Sequence, residues 1–115
     1  MDPITSAILL KSLDGLALRA AATSQNIANA RTPNYRPVRV SFEAALAEAA
    51  RTGGAEAIEM LRPSVVPDPT VAAGDAVRLD LEMADAAATA GRYSALVELL
   101  NRQAQITGLA ISGGR

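Results

Sequence analysis

The hydroxyls of Ser6, Ser12, Ser24, Ser41 and Ser94 are among the side chains that nucleophilic catalysis would use. A serine attacks only when a neighbouring base takes its proton, and this sequence contains no histidine to act as one. It has no cysteine either, which excludes thiolate chemistry and disulfides and fits an oxidising or a reducing compartment alike. Neither a GxxxxGK[ST] phosphate loop nor a GxGxxG turn occurs. The carboxylates Asp80, Glu82 and Asp85 are close enough in sequence to attract a cation. An acidic first turn set against the positive end of a helix dipole explains them without one. Glu43 and Glu48, five apart on a short helix, do not share a face at the favourable spacing. The residues predict no enzyme, no cofactor and no metal site.

Arg31, Arg36 and Arg39 beside Tyr35 form a local basic patch of the kind that stacks on single-stranded nucleic acid. The whole chain carries a formal charge of only −1, so no broad field favours a polyanion. A solvated or subunit-contacting loop is the better expectation. Neither nucleic acid nor a small-molecule substrate is expected as a partner.

The elements carrying these residues can be read from periodicity. A long helix is expected over residues 3–29, with Asp2 as N-cap and Pro3 at the first helical position, where its missing N–H is no loss. Leu9, Leu13, Leu16, Ala20, Thr23 and Ile27 follow the 3.5-residue repeat of a coiled-coil seam. A second line, Leu10, Ala17, Ala21, Ser24 and Ala28, runs beside it. Gly15 lies in the helix interior and is read as a tolerated defect costing about 1 kcal/mol.

Thr32-Pro33 ends the helix, because the residue before a proline is pushed out of the helical region. An extended arm over 31–40 follows, in which Pro33 and Pro37 are expected to prevent regular pairing. A short helix is expected over 42–51, capped by Ser41, with Phe42, Ala45, Leu46 and Ala49 on one face. Residues 52–79 read as an irregular loop, with at most a short strand or hairpin near Ile58–Leu61 and Ser64–Val66. A second long helix, 81–111, is capped by Asp80 and stopped by Gly113-Gly114. It carries one line of Tyr93, Val97, Leu100, Ala104 and Ile111, and a neighbouring line of Leu96, Leu99, Gln103, Ile106 and Ala110.

The fold expected is thus all-α, a single domain of 115 residues. Two long helices of about 40 and 47 Å pack as an elongated hairpin, with an arm, a short helix and a central loop. Half the residues are hydrophobic, but Tyr35, Phe42 and Tyr93 are the only aromatics. A core this poor in bulk is thin for a monomer. A hairpin buries one seam per helix, and the second lines then ask for neighbours. No run of about 20 apolar residues spans a bilayer. The first residues, with Asp2, Lys11, Asp14 and Arg19, do not have the form of a cleaved Sec signal.

Two segments resemble a known family. Ser24-Gln25-Asn26-Ile27-Ala28-Asn29-Ala30-Arg31-Thr32-Pro33-Asn34-Tyr35 is similar to the N-terminal motif of bacterial flagellar axial proteins, a helix ending in N-I-A-N followed by T-P-G-Y. Leu81-Glu82-Met83-Ala84, with Arg92-Tyr93-Ser94-Ala95-Leu96-Val97-Glu98-Leu99-Leu100-Asn101-Arg102, resembles the C-terminal helix of the proximal rod (FlgB) family. Asn34 stands where the family has glycine, and asparagine tolerates a left-handed backbone better than most residues. Arg31 stands where an acidic residue is frequent.

The resemblance implies a subunit of the flagellar basal-body rod, a drive shaft crossing the periplasm, exported through the type III apparatus without a cleaved Sec signal. Its implied partners are copies of itself, other rod proteins, and the adaptor, export-gate and motor-ring components at the rod base. Asn26, Asn29, Thr32, Pro33 and Tyr35 are expected to lock the turn after the first helix. Leu9, Leu13, Leu16, Ile27, Tyr93, Leu96, Val97, Leu100 and Ile106 are the expected packing residues. The competing expectation is a soluble helical adaptor or chaperone working as a discrete dimer.

Overall fold

A computed structural model describes residues 1–113, with the side chains of 1–109. The expected line ends at Ala110 and Ile111, and the second stop glycine, Gly114, lie outside that description. The chain runs α1 (Pro3–Ala28), β1 (Val38–Ser41), α2 (Glu43–Thr52), α3 (Gly54–Met60), β2 (Ser64–Pro67) and α4 (Leu79–Gly113). It is elongated, with extents of 64 × 28 × 14 Å. The fold is mostly helical, with two long helices and a small antiparallel sheet.

Asp2 caps α1 as its type predicts, its carboxylate accepting from the Thr5 amide at 2.8 Å and the Thr5 hydroxyl at 2.7 Å. The two long helices pack antiparallel. Met1 and Ser6 share a crevice with Leu100, Gln103 and Thr107, Leu16 and Ala20 share one with Thr89 and Tyr93, and Asn26 meets Glu82.

The other side of α1 is covered too. Ala7, Lys11, Gly15, Ala22 and Asn26 are buried, and α1 packs against α2, α3 and β1 as well as α4. This third line escapes a hydrophobic-period reading because it is made of small and polar residues. Lys11 belongs to it: its Nζ donates to the Glu59 carbonyl at 3.0 Å, satisfying an orphan acceptor in the last turn of α3.

Gly15 is not a tolerated defect. A Cβ built there would lie 2.4 Å from Cε1 of Phe42, so the glycine is what lets the ring seat against the helix backbone. Arg19 lies over the ring, with its guanidinium carbon 5.0 Å from the centroid and Nη2 donating to the Val40 carbonyl at 2.8 Å. Phe42, Leu46, Val40, Leu16 and Ile58 form the centre of the small core.

The middle of the chain corrects several expectations. The arm does pair: β1 runs antiparallel to β2, Val38 opposite Pro67 and Ser41 opposite Ser64. Pro37 precedes the ladder, so it costs no bond within it. The all-α expectation is therefore too simple. Residues 52–79 are not one loop, since they hold α3 and β2; Ile58 is the fully buried anchor of α3, not part of a strand. Ser41 does not cap α2. It is in the strand, and Phe42 takes the cap position, its amide donating to Glu43 Oε2 at 3.3 Å. Asp80 does not cap α4, which starts at Leu79; Asp80 instead binds Arg78 Nη2 at 2.9 Å.

Candidate functional site

Asn26 sits at the last turns of α1 with its side chain fully buried. Its Oδ1 accepts from the Val38 amide at 2.9 Å and the Tyr35 hydroxyl at 2.8 Å. Its Nδ2 donates to the Val38 carbonyl and to Glu82 Oε2, both at 3.0 Å. All four bonding positions of the amide are filled, and one side chain does for Val38 what a neighbouring strand would do. This holds the outer edge of β1 against α1.

Glu82 reaches the same place from the first turn of α4 and is 1% exposed. Arg39, on β1, grips its carboxylate with two donors, Nη2 to Oε1 at 2.7 Å and Nη1 to Oε2 at 3.2 Å. Arg39 Nε lies 2.8 Å from Oδ2 of Asp68, just past β2. Asp68 is itself buried and accepts from the Thr70 hydroxyl at 2.7 Å and the Thr70 amide at 2.8 Å. A planar guanidinium is the group suited to such a two-sided grip.

The electrostatics follow from these contacts. Hydrogen bonding to Glu82 holds the Arg39 guanidinium above its ordinary value, against its own burial. The Thr70 hydroxyl, helped by the Thr70 amide and Arg39, holds the Asp68 carboxyl below its ordinary value despite burial. Desolvation pushes the Tyr35 hydroxyl up. Among the described residues no buried side-chain nitrogen or oxygen lacks a partner. A satisfied, charge-paired network of this kind positions elements; it offers no free base or open coordination site.

The expected turn lock thus has two parts. Asn29 caps α1, its Nδ2 donating to the Gln25 carbonyl at 2.9 Å, and Thr32 Oγ1 donates to Asn29 Oδ1 at 3.1 Å. Asn34 adopts φ 61°, the left-handed turn that glycine commonly supplies. Pro33 is exposed and shapes the turn, while Tyr35 joins turn and network, its amide donating to the Thr32 carbonyl at 3.2 Å and its hydroxyl to Asn26 Oδ1 at 2.8 Å. Arg39 is committed to carboxylates, so the expected basic patch loses its best cation. Glu82 is more than an acidic first-turn residue.

Of the expected packing residues, Leu16 is buried, and Leu9, Leu13, Ile27, Leu96, Val97 and Leu100 are half-buried. Tyr93 and Ile106 stay 40% and 54% exposed. With them stand Leu10, Leu99 and Leu109, on the outer faces of both long helices. Between α1, α2 and α4 runs an open groove of about 620 Å³, lined by Ile8, Leu16, Phe42, Leu46, Ala50 and Leu96, with Arg92 at its side.

Among the described residues no cluster of three or more His, Cys, Asp or Glu is placed to hold a metal ion. No helix there is long and apolar enough to cross a membrane. No protein-family model matches the sequence, and no curated protein matches it.

Proposed function

We propose that this chain is a structural subunit of the proximal rod of a bacterial flagellar basal body. It polymerises through its terminal helices into a torque-transmitting shaft in the periplasm, reached through the flagellar type III apparatus. Its partners are copies of itself, neighbouring rod proteins, and the adaptor and motor components at the rod base. The motif Asn26–Tyr35 and the helix around Arg92–Arg102 suggest the family.

The observation that supports assembly is the uncovered outer faces. Leu10, Leu99, Ile106 and Leu109 are 56%, 46%, 54% and 72% exposed, on helices whose inner faces are already used. Such faces on an elongated subunit mark an interaction surface. Different faces meeting between copies make heterologous contacts, which build open helical arrays. Many modest contacts along a shaft then resist twist together.

Amide hydrogen exchange on the dilute chain, repeated with rod partners, tests the reading. Fast exchange in the ends of α1 and α4 alone, with protection on assembly, is the expected result. Full protection in a discrete monomer or dimer, unchanged by partners, would favour the soluble adaptor.

A further inference from the structure

We propose that the buried cluster of Asn26, Arg39 and Glu82 fixes the register of α1 against α4. The remainder of that seam discriminates poorly. Ala20, Thr89 and Ala90 are small, and Leu13, Val97 and Leu100 are half-buried aliphatics at helical spacing. Sliding one helix by seven residues, about 10 Å, sets small and aliphatic groups against one another again. Nor does the chain connection hold α4 in place: residues 69–78 contain neither helix nor strand and are mostly exposed.

The polar cluster closes in one register only. A seven-residue slip one way puts Thr89 beside Asn26, and a hydroxyl cannot take the two-donor grip of Arg39. A slip the other way puts Asp75 there, a residue that precedes the helix. Either way the single carboxylate that Asn26 and Arg39 share, held from within the helix, is lost. A buried polar group satisfied in a single alignment is the best-attested device for setting helix register. The consequence for assembly rests on the rod reading: the cluster would set the offset between Leu10 on α1 and Leu99 and Ile106 on α4, the spacing a neighbouring subunit meets.

Having no cysteine of its own, the chain can be labelled at Ala21→Cys and Ala104→Cys, both exposed, and the nitroxide–nitroxide distance measured. The unaltered cluster should give one narrow distance. Glu82→Leu with Arg39→Met removes both partners of that ion pair, while Asp68 loses Arg39 and keeps the Thr70 hydroxyl and amide. With helix content retained, it should raise a second population, displaced by about 10 Å, that the parent lacks. The same single distance in that folded variant would overturn the proposal. If the double variant does not fold, Glu82→Gln is read instead: a displaced shoulder supports the proposal, and an unchanged narrow distance refutes it. Assembly is scored separately, so a slipped register with unimpaired polymerisation would count against the rod reading alone.

Discussion

The ring of Phe42 lies against the backbone of Gly15, close enough that a single methyl there would fall 2.4 Å from a ring carbon. The contact joins the start of α2 to the middle of α1, and Arg19 lies over the ring. The core is small, and this close approach seats the start of α2 on the long helix, which also packs against α3, β1 and α4.

Gly15→Ala should therefore destabilise, although alanine is the better helix former. Overpacking costs about 1–3 kcal/mol and outweighs the roughly 1 kcal/mol gained in propensity, because the ring is buried in the core and meets the added methyl with three of its carbons. Gly91, in α4, has open space where its Cβ would go. Gly91→Ala should stabilise by roughly 0.5–1 kcal/mol. Urea unfolding of the two variants should show shifts of opposite sign; two shifts of the same sign would refute the close-approach reading.

Asn26→Asp tests the amide's role as a surrogate strand. The change preserves shape but removes both donors, to Val38 and to Glu82, and brings a second carboxylate against the first. A loss of roughly 3–5 kcal/mol is expected, larger than for Asn26→Ala, which removes the bonds without adding charge. Equal losses in the two variants would mean that the Glu82 contact contributes little.

The acid limb of stability should depend on Asp68. Its folded-state carboxyl titrates below its ordinary 3.8, chiefly through the Thr70 hydroxyl. A depressed carboxylate contributes stability that is complete above its unfolded value and lost as pH falls through the folded one. The urea midpoint should thus drop on acidification below about pH 4. Asp68→Asn should flatten that drop, and an identical slope in the variant would show that the Thr70 and Arg39 contacts are not coupled to folding.

The long helices and the Asp2 cap are legible because they depend on local rules, namely apolar residues at alternating three- and four-residue spacing and a carboxylate before Pro3. The partners of Glu82 were not. In sequence it resembles any acidic first-turn residue, and nothing local signals that Arg39, 43 positions away, will fold onto it. Gly15 and Lys11 were hidden in the same way, since a glycine that admits a ring and a lysine that caps another helix have meaning only after packing. The strand β2 was half legible: Ser64–Val66 suggested extended backbone, but its pairing with the arm is non-local. Asn26 was recognised as a turn residue, and its larger role, as edge partner of Val38, required the arm to be in place.

The outer face of α4 gives the last prediction. Leu99 and Ile106 are exposed, so replacing both by serine removes little buried area from the isolated chain. Its stability should stay within about 0.5 kcal/mol per site, with unchanged helix content by circular dichroism. Association is the property expected to suffer, because these side chains are the apolar surface a neighbouring subunit would cover. Sedimentation velocity over a concentration series, alone and with rod partners, should show polymers for the parent chain and a persistent monomer for the double variant. Polymers in both would move the contact to another face, with Leu10 and the α1–α2–α4 groove the next to substitute. If the variant unfolds instead, α4's outer face contributes to the monomer's own stability, and it cannot be the surface left free for assembly.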